Sequence, residues 1–305
     1  MNSRIVRVVL ALTAVMILVL GSARTMGQAP ASTSIPRTAD GQPDIRGYWH
    51  RTESVFNGYE ACNGFCADEP LDEHRHNVMT RKSLVVDPPD GKIPWQPWAE
   101  ARYHQIHLAA SGGTNRTSQR GDGRVKPEHI DPQVRCGAAG IPKNQGHTNP
   151  FQIQQPAGRV VFLYQYPRSQ YRVVPLDGRP HITKNIPLWM GDSRGKWEGN
   201  TLVMDITNTN AQTWFDQVGH FHSDALHMVE RITPVDSDTL QDRFIITDPK
   251  VYTRPWTAEL IQKRQKNEQV EFIVESECNE GGNPGLYAAM GVKHTISTRK
   301  GWVER

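Results

Sequence analysis

From Phe151 onward the chain runs in short stretches of β-branched and aromatic residues that alternate apolar with polar positions, each ended by turn residues. The stretches fall into neighbouring pairs. Arg159 to Tyr166 and Gln170 to Leu176 flank Pro167-Arg168-Ser169, and Gly195 to Glu198 and Thr201 to Thr207 flank Gly199-Asn200. Ala225 to Thr233 and Thr239 to Thr247 flank Asp236-Ser237, and Thr257 to Lys263 and Gln269 to Cys278 flank Lys266-Asn267. Successive residues of a strand point to opposite faces, so Leu202, Met204 and Ile206 share one side. Val270, Phe272 and Val274 likewise oppose Glu271, Glu275 and Glu277. Each strand therefore has one wet face and one dry face.

Ahead of this region, Ile45-Arg46-Gly47-Tyr48-Trp49 reads as a first strand. Residues 57–150 are rich in Pro, Gly, Asn and Asp, with a helix predicted from about Trp98 to Ala110, opened by Pro97 and ended by Gly112-Gly113. A region so long and irregular within one domain is read as an ordered covering layer. Sheets with one apolar face must close on themselves or stack, and about nine strands in sequential hairpins favour up-and-down closure. The prediction is an all-β fold: an antiparallel meander closed as a lipocalin-like barrel, with a β-sandwich as the alternative and one short helix. A single β domain over 44–305 carries 57–150 as its cover, preceded by a disordered tether over 24–43 of Pro, Ser, Thr, Gly and Gln.

The start of the chain changes the picture of where this domain works. Arg4 and Arg7 precede an apolar stretch from Val8 to Leu20 broken only by Thr13, and Gly21-Ser22-Ala23 offers small residues for cleavage. That pattern predicts a signal peptide over 1–23, and the stretch is shorter than the roughly 20 residues of a spanning helix. A periplasmic or extracellular location follows, with no membrane span after cleavage. In an oxidising compartment the four cysteines favour disulfides over metal ligation. Of three connectivities, Cys62 with Cys66 and Cys136 with Cys278 is the preferred one. The formal net charge of +3 comes from near balance without long like-charge runs, which argues against nucleic acid as a partner. A small molecule is the expected partner, and the oligomeric state stays open.

The densest chemistry lies in His220-Phe221-His222-Ser223-Asp224-Ala225-Leu226-His227-Met228-Val229-Glu230-Arg231. His222, Asp224 and Glu230 are the candidate catalytic residues, with Glu230 on the parity of Leu226, Met228 and Ile232, hence on the dry face. A plainer reading stands beside it. If Asp236-Ser237 is a two-residue turn, Glu230 falls opposite Arg243 and Arg231 opposite Asp242, giving two cross-strand ion pairs. His220 and His222 share a face and are the candidate metal pair, although no third ligand stands at matched spacing. No cofactor is expected. Arg254, Trp256, Trp197, Trp214 and Tyr252 fall at strand ends and loops, where they are candidates to stack on or clamp a ligand, or simply to plug the barrel end. His222, Asp224 and Arg254 are expected to converge on one rim.

Gly47-Tyr48-Trp49 resembles the Gly-X-Trp first-strand motif of lipocalin-like barrels, which implies a small, usually apolar ligand in the barrel mouth. A broader resemblance takes in Arg37 to Asp44, Leu176 to His181, Trp197 to Val203, His222 to His227 and Asp248 to Trp256. These segments are similar to an exported family found in many copies in soil bacteria. That likeness implies export and a shared fold, and it names no activity. The chain departs from it at Asn200, where relatives carry Asp, and at Gly137-Ala138, where Leu-Pro is usual. The leading functional expectation is a barrel that binds a small organic ligand under the 57–150 cover. A hydrolase, lyase or isomerase using His, Asp and Glu on the same scaffold is the alternative, and a structural envelope protein the second alternative.

Overall fold

The computed structural model describes residues 35–52, 58–61, 82–111, 131–133, 137–146, 149–165, 170–216, 218–266, 295–298 and 301–304. The signal-peptide segment, all four cysteines and the strand expected over Gln269 to Cys278 lie outside them.

Twelve strands and a helix are described: β1 Gly47–Arg51, β2 Val85–Asp87, α1 Pro97–Ser111, β3 Phe151–Gln154, β4 Arg159–Tyr164, β5 Tyr171–Pro175, β6 Asp192–Glu198, β7 Thr201–Thr207, β8 His227–Asp236, β9 Thr239–Thr247, β10 Trp256–Arg264, β11 Thr295–Thr298 and β12 Gly301–Glu304. Ten of the strands form one antiparallel sheet in the order β5-β4-β3-β1-β10-β9-β8-β7-β6, with β2 also on β10, while β11 and β12 pair separately. Two runs of sequential hairpins, β3 to β5 and β6 to β10, are thus stitched together by β1. The edges β5 and β6 come together without a shared ladder. Gly195 on β6 makes this possible, because a Cβ there would stand 2.7 Å from Val174 and Leu176 side-chain carbons. The result is a nearly closed barrel, and the sandwich alternative does not form.

Strict alternation fills the inside. Met228, Glu230 and Ile232 of β8, Leu240, Asp242, Phe244 and Ile246 of β9 and Trp256, Ala258 and Leu260 of β10 are all at most 1% exposed. Burying a large apolar side chain stabilises by about 1.5–3 kcal/mol, so this packed interior carries most of the fold. Trp49 joins it from β1: the indole N–H donates to the Ile45 carbonyl at 2.9 Å, and the Arg264 guanidinium lies 4.3 Å above the ring. The expectation that Gly47-Tyr48-Trp49 enters the same sheet as the C-terminal hairpins holds through pairing with β10 and β3.

Two expectations need correction. Residues 35–43 are not a tether: Thr38 and Gly41 close a turn, Arg37 bridges to Pro43, and the Arg37 guanidinium donates to Asn200 Oδ1 at 2.7 Å. A polar composition hid an Asp40-Gly41 turn that orders itself locally. The β8–β9 hairpin is also one residue out of the expected register. Its turn is Ser237-Asp238, with an irregularity between Pro234 and Asp236, so Arg231 faces Arg243 and Glu230 faces Phe244. Arg231 bonds Glu198 instead, and Arg243 bonds Glu259. A one-residue slip exchanges the faces of one strand relative to the other, and here it brings Asp242 inward beside Glu230, whose own parity already pointed there.

Candidate functional site

The inward pair meets partners from the far wall. On β5, Arg172 is 3% exposed and grips Glu230 with two nitrogens, at 2.5 and 3.1 Å. Its guanidinium also lies 4.3 Å over the Phe162 ring. Burial works against the Arg172 charge, but Glu230, Tyr164 and Asp242 together outweigh it and the pKa is raised. Asp242 sits diagonal to Glu230 across the β8–β9 ladder, on the same inner face. Burial, and then the Glu230 charge, push the Asp242 pKa well up, with Arg172 acting the other way. Tyr164 on β4 adds a hydroxyl whose pKa is raised by burial, and Arg172 lowers it only in part.

One end of this interior is plugged by residues 137–146. Every residue from Ala139 to Gly146 is buried. Gln145 hydrogen-bonds Glu230 through Nε2 and reaches Asp242 Oδ2 at 3.2 Å, while Gln262 on β10 donates to the Gln145 carbonyl at 3.2 Å. Arg51 on β1 hydrogen-bonds the Gly146 carbonyl. Farther along the plug, Lys143 pairs with Asp131, both 1% exposed, and burial lowers the Lys143 pKa against the pull of that partner.

The network is incomplete. Asp242 Oδ1, Gln145 Oε1, Gln262 Oε1, Arg172 Nε and the Tyr164 hydroxyl are buried and have no hydrogen-bond partner among the described residues. Each such group costs about 1–3 kcal/mol when left unsatisfied. Buried polar groups in folded proteins are nearly always hydrogen-bonded, so each of these calls for an explanation.

A second polar cluster lies in the loop between β7 and β8. Asp216 is completely buried, and its Oδ1 accepts the backbone N–H groups of Val218, Gly219 and His220 at 3.0 to 3.1 Å while Oδ2 bonds the His220 ring. The His220 ring stacks on Tyr103 of α1 at 4.5 Å and on Trp95 at 5.6 Å. His222 contacts Thr213 Oγ1 through Nε2 at 2.8 Å and the Ser223 carbonyl through Nδ1 at 3.0 Å. Nδ1 is the donor to that carbonyl, so Nε2 accepts from the hydroxyl. Burial lowers the His222 pKa and keeps the ring neutral near pH 7, although Ser223 and Asp248 act the other way. The plug reaches this loop at Gly140, where φ is +75° and a Cβ would lie 2.7 Å from Thr213 Oγ1.

The three residues of the expected rim, His222, Asp224 and Arg254, each have a partner of their own, and His222 is buried. Asp224 is turned to solvent and pairs with Lys250 at 2.6 Å, and exposed Arg254 pairs with Asp87 at 3.2 Å. Both had ready surface partners that the strand pattern could not reveal. His220 and His222 each direct Nδ1 to a separate protein oxygen, and no group of three or more metal ligands occurs among the described residues. Of the aromatic candidates, Trp256 and Tyr252 are fully buried, and the Tyr252 hydroxyl donates to the Phe221 carbonyl. Trp214 is bridged to Phe221 and Trp197 packs against the core, so these rings fill space rather than open a mouth. Arg172, Asp242, Gln145 and Gln262 were not anticipated as site residues. A signal was available for Asp242 and Gln262, which fall on the apolar parity of β9 and β10, but not for Arg172, since Tyr171 and Val173 make the other face of β5 equally apolar, nor for Gln145, which lies on no strand.

No family model matches the chain, and neither the curated proteins nor the solved structures supply a match.

Proposed function

We propose that this protein binds a small organic molecule inside the barrel, against the floor formed by Arg172, Glu230, Asp242, Gln145 and Gln262. The observation that carries this reading is the set of fully buried, unpartnered polar atoms on that floor. A domain of marginal stability tolerates several such groups only where another interaction offsets them. Residues 137–146 are the segment a ligand must pass, since Gln145 belongs both to the plug and to the floor. Export through a cleaved leader fits a carrier or scavenger that works outside the cytoplasm.

The test is a crystal structure of the full mature chain after exposure to a mixed library of small polar organic compounds. Ligand density between Arg172 and Gln262 supports the reading. Density confined to the outer hollow lined by Arg46, Asp238 and Arg264 overturns it.

One arrangement favours an enzyme on the same scaffold: Asp242, a carboxyl whose pKa is raised by burial, stands beside a second carboxyl held by an arginine. Such a pair supplies a general acid next to a charged partner. Turnover of a bound compound that is lost in Asp242→Asn would move the conclusion to that reading.

A further inference from the structure

The unpartnered atoms of the floor have a sign and a number. Arg172 is matched by the Glu230 carboxylate that it grips, which leaves Asp242 as a surplus acid. Arg172 is the one cation among the described residues that bears on Asp242. Of the five unpartnered atoms around the floor, three are carboxyl or amide oxygens, Asp242 Oδ1, Gln145 Oε1 and Gln262 Oε1, and the other two are Arg172 Nε and the Tyr164 hydroxyl. They belong to side chains in one contact group. Gln145 Nε2 touches Asp242, Gln262 Nε2 touches the Gln145 carbonyl, and Gln262 stands diagonal to Asp242 across the β9–β10 ladder.

A partner that satisfies three acceptors and one surplus negative charge must bring several donors and one positive charge. A neutral alcohol brings a single donor. A hard divalent cation takes about six or more oxygens, more than the floor offers. A primary ammonium has three N–H donors and a unit charge, and its alkyl part suits the apolar walls given by Trp256, Phe244, Leu260 and Met204. Building on the reading that the barrel holds a small organic molecule, we propose that this molecule is a primary amine, bound as its ammonium by Asp242 Oδ1, Gln145 Oε1 and Gln262 Oε1.

Binding then displaces a proton. Burial and the Glu230 charge raise the Asp242 pKa against the pull of Arg172 and of a Gln262 hydrogen bond, and the charged and titratable groups that face it are Glu230 on β8, Arg172 on β5 and Tyr164 on β4. An ammonium takes the place of that proton, so affinity rises as pH approaches the raised Asp242 pKa, by up to about tenfold per pH unit.

The experiment titrates n-butylammonium, 1-butanol and butyrate into the full mature chain by calorimetry, in non-amine buffers of different ionisation enthalpy. The expected result is one n-butylammonium per chain with release of close to one proton. Asp242→Asn, which keeps shape and cannot ionise, weakens binding by about tenfold or more, and Gln262→Leu by a few-fold, in line with a lost charged and a lost neutral contact. Equal binding in Asp242→Asn, or binding without proton release, overturns the amine assignment. If 1-butanol or butyrate binds instead, with crystallographic density in the barrel, the amine assignment fails and the ligand-binding reading stands. If no probe enters and ordered water caps the three oxygens in a high-resolution crystal structure, both fail.

Discussion

The barrel floor and the β7–β8 loop are both buried polar clusters, built from similar residues, and they differ in how far they are completed. In the loop, Asp216 takes three backbone N–H groups and an imidazole, and His222 has both nitrogens engaged. On the floor, a bidentate Arg172–Glu230 pair sits beside a carboxyl oxygen, two amide oxygens and a guanidinium nitrogen with no partner. A completed cluster is what a fold needs to order an irregular segment, because buried polar groups are costly until every one is paired. An incomplete cluster has a structural cost and keeps hydrogen-bonding capacity for something else. Histidines and aspartates in a dense sequence motif drew attention to the loop, yet there Asp216 and His222 are already engaged by groups of the protein itself.

The largest expected effect comes from breaking the floor. Arg172→Met leaves Glu230 buried without a counter-charge, and removing one partner of such a pair costs about 3–5 kcal/mol. Urea denaturation measures it. Adding Glu230→Gln to Arg172→Met should recover a large part of the loss, since the uncompensated charge is then gone. A double variant as unstable as the single one would mean that the pair acts through packing on Phe162 and Met204 rather than through charge.

Breaking the loop should cost somewhat less. Asp216→Ala removes the acceptor of three backbone donors and the partner of His220, and the segment can recover some of these bonds with water as it opens. A loss of about 2–3 kcal/mol is expected by the same urea titration. Because this cluster lies in the β7–β8 loop, away from the floor oxygens, n-butylammonium should not restore stability selectively to the variant. Selective rescue by that ligand would erase the distinction between the two regions.

The two regions should also answer pH with opposite signs. The Asp242 pKa is raised from 3.8, so its contribution is fully present below that value and is lost as pH rises through the higher folded-state pKa. The His222 pKa is lowered from 6.5, so its contribution is present above that value and is lost as pH falls through the folded-state pKa. Between 3.8 and 6.5 the two slopes therefore oppose each other in urea midpoints followed across pH, each by at most about 1.4 kcal/mol per pH unit. Asp242→Asn should remove the decline with rising pH and leave stability climbing towards 6.5. His222→Gln should remove the climb and leave the decline, on top of a pH-independent packing loss. The reverse assignment would sink the account of both sites.

Much of the barrel was legible because alternation is a local signal. Leu202, Met204 and Ile206, or Met228, Glu230 and Ile232, declare their buried face from their own strand. The floor was only half legible for the same reason. Glu230 could be placed inside by parity, but its partner on β5 lies 58 positions away in sequence, and no pattern within β8 points to Arg172. The hairpin register was misread because Asp236-Ser237 and Ser237-Asp238 are both acceptable turns by composition. Only the irregularity beside Pro234 decides between them, and with it whether Asp242 faces water or the core. Asp224 and Arg254 were misplaced by the opposite error, since nearness to strand ends says little about which surface neighbours, here Lys250 and Asp87, will hold them.

The smallest expected effect calibrates the comparison with a polar contact that stays in water. Arg37 donates to Asn200 Oδ1 at 2.7 Å, both side chains are exposed, and the bond fastens the Thr38–Gln42 turn to the β6–β7 hairpin. Asn200→Asp turns this neutral acceptor into a charged one in the same geometry. Solvent screens the new pair, and exposed pairs of this kind contribute about 0.2–1 kcal/mol. A gain near the lower end, shrinking as salt is raised, is expected from urea midpoints measured at low and high ionic strength. The chemical change is comparable to Glu230→Gln in reverse, one carboxylate for one amide opposite one guanidinium. If it shifted stability as much as breaking Arg172–Glu230 does, burial would not be what sets the two contacts apart, and the case for reading incompleteness on the floor as function would lose its energetic basis.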